Sequence, residues 1–69
     1  MKISELQNRV HKNTRVILYE EVYPRGGDVH YRVDTFIEKR GVEKRIEQMP
    51  FRNRKAAEHY AQYMLTGEH

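Results

Sequence analysis

Arg52, Arg54 and Lys55 crowd the opening turn of a helix for which Asn53 is a good N-cap. That end of a helix carries the positive pole of the macrodipole, where an exposed cation is disfavoured by roughly 0.3–1 kcal/mol. It also presents N–H groups without intrahelical partners, so a phosphate bound there meets backbone donors and side-chain cations together. The chemistry these residue types offer is anion capture, with the negative partner supplied from outside. The plain alternative is that the three side chains are solvated, or paired with Glu47 or Glu58.

Other cations stand at glycine turns: Arg25 before Gly26-Gly27, and Lys39-Arg40 before Gly41. Hairpin tips are exposed and can reach a nucleic-acid backbone or groove, although charge at a tip also serves solubility alone. Catalytic and metal chemistry find little support. His11, His30, His59 and His69 have no recognisable ligand spacing, and sequence neighbours such as Glu58-His59 do not face one another on a helix. No nucleophile elbow, phosphate loop or paired-carboxylate site is present, so neither an enzyme, a metal site nor a cofactor is expected. Of the five tyrosines, Tyr31 and Tyr60 fit core positions, whereas Tyr23 and Tyr63 read as exposed, as in protein interfaces.

The elements that must hold these residues follow from periodicity. Ser4 and Gln7 have capping-box spacing, and Ile3, Leu6 and Val10 form one apolar stripe, which predicts a short first helix ending near Lys12-Asn13. A strand starts at Thr14, with Val16-Ile17-Leu18-Tyr19 apolar on both faces. From Val29 to Lys39 the alternation is clean: Val29, Tyr31, Val33, Thr35 and Ile37 share one face, and His30, Arg32, Asp34, Phe36 and Glu38 the other. Val42–Met49 reads as an edge strand that Pro50 stops. The last helix is the clearest: Ala57, Tyr60, Ala61, Met64 and Leu65 fall on one face, and Gly67 ends it. The expected fold is α+β, a helix, a three-stranded antiparallel meander and a helix (αβββα) in two layers, as a single domain over residues 1–69.

Size and charge bound the function. The chain has 69 residues, no cysteine and a net charge of +3. A domain this short has a thin stability margin and here no disulfide to supplement its core. No apolar run approaches the roughly 20 residues that cross a bilayer, and the N-terminus lacks a signal-peptide core, so a cytoplasmic protein is expected. Residues 14–49 balance cations and anions one for one, and the positive excess sits in the two flanks. The polar face of the sheet carries Asp34, Glu38 and Glu43 beside its arginine, and these carboxylates would repel phosphates.

The run "FRNRKAAEHYAQYM" from Phe51 resembles the closing motif of the arm-type DNA-binding domain at the N-terminus of phage and transposon integrases. Phe51, Asn53, Lys55, Ala57, Glu58 and Tyr60 follow that motif in order, with Asn53 in place of the usual threonine, and Tyr31-Arg32-Val33 resembles the family's second strand. The resemblance implies a three-stranded sheet with one C-terminal helix, bound by the sheet in the DNA major groove. It makes Arg32 and Arg45 candidates for base or phosphate contact. "RNRKAA" also resembles the basic helix start of double-stranded-RNA-binding domains, whose element order is helix, three strands, helix. That family's glycine pair before the helix is missing. The expectation is therefore a non-catalytic, phage-type nucleic-acid-binding accessory protein, duplex DNA ahead of duplex RNA, with Arg52, Arg54 and Lys55 on phosphates, helped by Arg25, Lys39 and Arg40. The competing expectation is a small protein-interaction module or inhibitor, docking through its edge strand and exposed tyrosines. Homodimerisation is open to either.

Overall fold

The computed structural model describes residues 1–67; Glu68 and His69, the latter one of the histidines weighed above, lie outside the described residues. Four strands and one helix follow in order: β1 (Lys2–His11), β2 (Thr14–Val22), β3 (Val29–Lys39), β4 (Val42–Phe51) and α1 (Arg54–Thr66). The strands form one antiparallel meander in sequence order, and α1 packs across one face.

The αβββα expectation is overturned at its first element. Residues 2–11 form a strand, paired with β2 from Lys2 opposite Val22 to His11 opposite Thr14. A helix of about ten residues is marginal in water unless it packs on something, whereas a strand here gains a backbone partner along its whole length. The misleading signal was a bulge. Leu6 has no partner between Glu5, opposite Tyr19, and Gln7, opposite Leu18. This extra residue reverses the alternation. Leu6 packs against the core, while Ile3 and Val10 stand on the opposite face, 48% and 56% exposed. One bulged strand thereby imitates a helical stripe.

A second correction concerns Pro50, which lies within β4 opposite Arg32 instead of ending it. β4 is an edge strand, where a missing N–H on the open side breaks no ladder bond.

The core sits between α1 and the sheet, with Leu18, Val33 and Ala57 fully buried and Val16, Ala61 and Leu65 nearly so. Ala57 and Ala61 let the helix axis approach closely; Leu6, Tyr31, Phe51, Tyr60 and Met64 close the rim. The Asn53 side chain accepts a hydrogen bond from the Ala56 N–H at 3.1 Å. Gly67, at φ 76°, closes the other end by donating its N–H to the Tyr63 carbonyl at 2.7 Å. Ile17 and Tyr19, on the face without a helix, have no second layer above them. Long polar side chains do that work, among them Arg32, whose guanidinium carbon stands 4.5 Å from the centre of the Tyr19 ring. Among the described residues, no helix is long and apolar enough to cross a membrane.

Candidate nucleic-acid interface

The first turn of α1 contains no acidic residue, and its cations differ in how they are held. Arg54 Nε donates to Glu58 Oε2 at 3.3 Å, an i,i+4 pair with both side chains substantially exposed. Such a pair contributes about 0.3–0.5 kcal/mol and yields easily to a stronger anion. The side chains of Arg52 and Lys55 have no hydrogen bond or ion pair among the described residues. Glu47, the other carboxylate within reach on sequence grounds, accepts the hydroxyl proton of Tyr60 instead. That bond, together with burial, pushes the Tyr60 phenol up to about 12, because a neighbouring carboxylate opposes a phenolate.

Arg25 belongs to the same end of the molecule. The β2–β3 turn is closed by the Tyr23 N–H donating to the Asp28 carbonyl at 2.9 Å, and Gly26 and Gly27 take φ values of 80° and 66°. Tyr31 is the Cα partner of Phe51, so this turn and the start of α1 project from one edge of the sheet. His30 links them. It lines one shallow hollow with Tyr23, Pro24, Arg25 and Asp28, and another with Pro50, Phe51 and Arg52. Its ring meets Tyr23 edge-on at 4.9 Å. Sequence reasoning set His30 aside for want of ligand spacing; its signal was position, at the first residues of a strand leaving a basic turn.

Lys39 and Arg40 stand at the opposite end. Arg40 and Gly41 form the β3–β4 turn with φ 53° and 78°, the two left-handed residues of a tight hairpin. From there β4 runs to Phe51, about 30 Å at ~3.3 Å per residue.

The sheet arginines are differently placed. Arg32 Nε donates to Asp34 Oδ1 and its Nη1 to Glu21 Oε2, both at 3.0 Å, and the Asp34 side chain is only 3% exposed. Arg45 Nη1 approaches Asp34 Oδ2 at 3.7 Å while staying half exposed. Arg15, on the same face, is held by Glu43 at 2.9 Å and by Asn8 at 2.6 Å. The structure thus brings Arg25, Arg52, Arg54 and Lys55 to one end, puts Lys39 and Arg40 at the other, and commits Arg32 to carboxylates between them.

No protein-family model, curated protein or solved structure matches the chain. No group of three or more metal-ligating side chains converges among the described residues.

Proposed function

We infer that the protein binds duplex nucleic acid without catalysis, DNA ahead of RNA, holding phosphates with Arg52 and Lys55 and with Arg25 beside them. The observation that carries this reading is that Arg52 and Lys55 face a positive helix pole with no carboxylate among the described residues to offset it. Arg54 joins them by releasing Glu58. Two further points support duplex DNA. The helix with which double-stranded-RNA-binding domains open is a strand here, while the order β2, β3, β4, α1 is the one implied by resemblance to the arm-type domain. The two basic ends also lie about 30 Å apart along β4, close to the ~34 Å repeat of B-DNA. Both ends can meet phosphates on one side of a duplex, while the charge-balanced middle passes over the groove. Arg45, half exposed and held to Asp34 only at 3.7 Å, is the less firmly held sheet arginine and approaches base edges, and Arg32 positions the face beneath it. A phage-type accessory role rests on the arm-type resemblance, and a cytoplasmic location on the lack of a spanning apolar run and of a signal-peptide core.

Fluorescence anisotropy with labelled duplex DNA and duplex RNA over a salt series tests this. Phosphate contacts by Arg25, Arg52, Arg54 and Lys55 at one end and by Lys39 and Arg40 at the other, six in all, give a slope of log affinity against log salt of roughly −5.4. Replacing both Arg52 and Lys55 by Ala brings the slope to roughly −3.6 and weakens binding at low salt by roughly tenfold or more. Wild-type affinity in that double variant would end the proposal. A protein-docking reading has its own support in an apolar hollow of about 350 Å³ beside β4, lined by Phe51, Ala56, His59, Tyr60 and Tyr63. It takes over if neither duplex binds at low salt.

A further inference from the structure

We propose that two copies of this chain pair through β1, antiparallel across a two-fold axis, to make one eight-stranded sheet. β1 is a free edge ten residues long, and it carries the two exposed apolar side chains Ile3 and Val10. The bulge at Leu6 decides how such an edge can pair with itself. On the face without a helix stand Ile3 and Glu5 before the bulge and Asn8 and Val10 after it; on the helix face stand Lys2, Ser4, Leu6, Gln7, Arg9 and His11. A strand pair must match faces along its whole length. Shifting the register by one residue sets opposite faces against each other along nearly the whole strand, and shifting it by two does so at the pair beside the bulge. The register that matches throughout places each bulge opposite the other, with Leu6 facing Gln7 of the second copy. It runs the full strand, from Lys2 opposite His11.

In that register Ile3 of each copy meets Val10 of the other, on the same face, so each exposed apolar side chain of β1 gains an apolar neighbour. Glu5 meets Asn8, repeating between copies the contact that Asn8 Nδ2 already makes with Glu5 Oε1 at 3.0 Å within the strand. Arg9 meets Ser4. No carboxylate faces a carboxylate, and no lysine or arginine faces another. The other edge is less suited. β4 is also bulged, at Ile46, and its face-matched register with itself sets Pro50, which has no N–H, into the new ladder twice and Ile46 against Glu47. A proline in the ladder of this kind keeps edges apart. The pairing uses none of the proposed phosphate-holding residues, which lie on the β2–β3 and β3–β4 turns and at the start of α1.

The absence of native cysteine makes the register directly testable. The variants Ile3→Cys and Val10→Cys are oxidised separately and as a mixture, without nucleic acid. Positions 3 and 10 of different copies lie opposite each other, within the reach of a disulfide, whereas 3 and 3, or 10 and 10, are about 23 Å apart. The expected result is a covalent heterodimer from the mixture and little from either variant alone. Sedimentation velocity of the wild type to submillimolar concentration should show a dimer. Ile3→Lys/Val10→Lys, which sets like charges opposite, should be monomeric with an unchanged far-ultraviolet circular dichroism spectrum. A wild-type monomer throughout the series, a dimer that the lysine variant retains, or equal cross-linking in all three samples would overturn the proposal.

Discussion

Arg32 and Arg52 are the same residue type with opposite assignments, and the difference lies in what surrounds each. Arg32 is fixed by Glu21 on β2 and by Asp34 two residues along its own strand, over the face of Tyr19. Asp34 is 2% exposed, so removing its partner leaves a buried charge. Breaking a fully buried pair costs about 3–5 kcal/mol. Arg45 remains 3.7 Å from Asp34, so the cost here falls lower, at roughly 2–3 kcal/mol. Urea unfolding should therefore show Arg32→Ala losing about that much, and Arg52→Ala staying within ~0.5 kcal/mol of wild type. Duplex binding should show the reverse order, once compared under conditions where both variants are folded. An Arg32→Ala variant as stable as wild type would mean that the ion pair at Asp34 is not what holds this face. Sequence alone could place Arg32, Asp34 and Glu21 by alternation, but the pairing across β2 and β3 depends on register, which no single strand reveals. The free state of Arg52 and Lys55 was easier to foresee, because their helix start, its cap and its lack of early acids are all local.

At the scale of elements, local signals were enough wherever one periodicity dominated. β2 came through as a β-branched and aromatic run apolar on both faces, β3 because its residues alternate cleanly, and α1 because Asn53, the Ala57–Ala61–Leu65 face and Gly67 agree with one another. β1 departs from its predicted helix because one unpaired residue turns an alternating strand into a helical spacing, and β4 runs past Pro50 because an edge strand tolerates a proline. The link between β4 and α1 was also hidden: Tyr60 was assigned to the core, yet its hydroxyl reaches Glu47 on the edge strand. This contact has a pH signature. The phenol is raised from 10.0 to about 12 in the fold, so the neutral form favours the native state. Its contribution is fully present below pH 10, the unfolded value, and is lost as pH rises toward 12. Wild type should exceed Tyr60→Phe in stability by about 1 kcal/mol near neutrality. The gap should close across that alkaline window when both are followed by urea unfolding. A gap that stays constant through it would show that the hydroxyl does not depend on Glu47.

The whole molecule is a flat one, 43 × 26 × 15 Å, with a single thin core under one helix. At roughly 0.05–0.15 kcal/mol per residue, a chain of this size has a total stability of about 3–10 kcal/mol. Two buried positions on the helix side of the sheet then have opposite leverage. Leu18 is fully buried where β2 meets α1, and Leu→Ala at such a site costs about 3–5 kcal/mol through lost burial and an unfilled cavity. That is from about a third of the total to more than all of it. Thr35 is also buried, on β3, and its Oγ1 has no hydrogen-bond partner among the described residues. Thr35→Val keeps the branched shape and removes the unsatisfied hydroxyl, a change worth about 1 kcal/mol in the stabilising direction. Thermal and urea unfolding should therefore find Leu18→Ala largely unfolded at 37 °C and Thr35→Val more stable than wild type. Because one core carries the whole sheet, the Leu18→Ala loss should remove the basic ends together with the fold, so that duplex binding and circular dichroism fall in parallel. A folded Leu18→Ala variant would place the stability of this chain elsewhere, and the β1 edge pairing would be the first alternative source to measure.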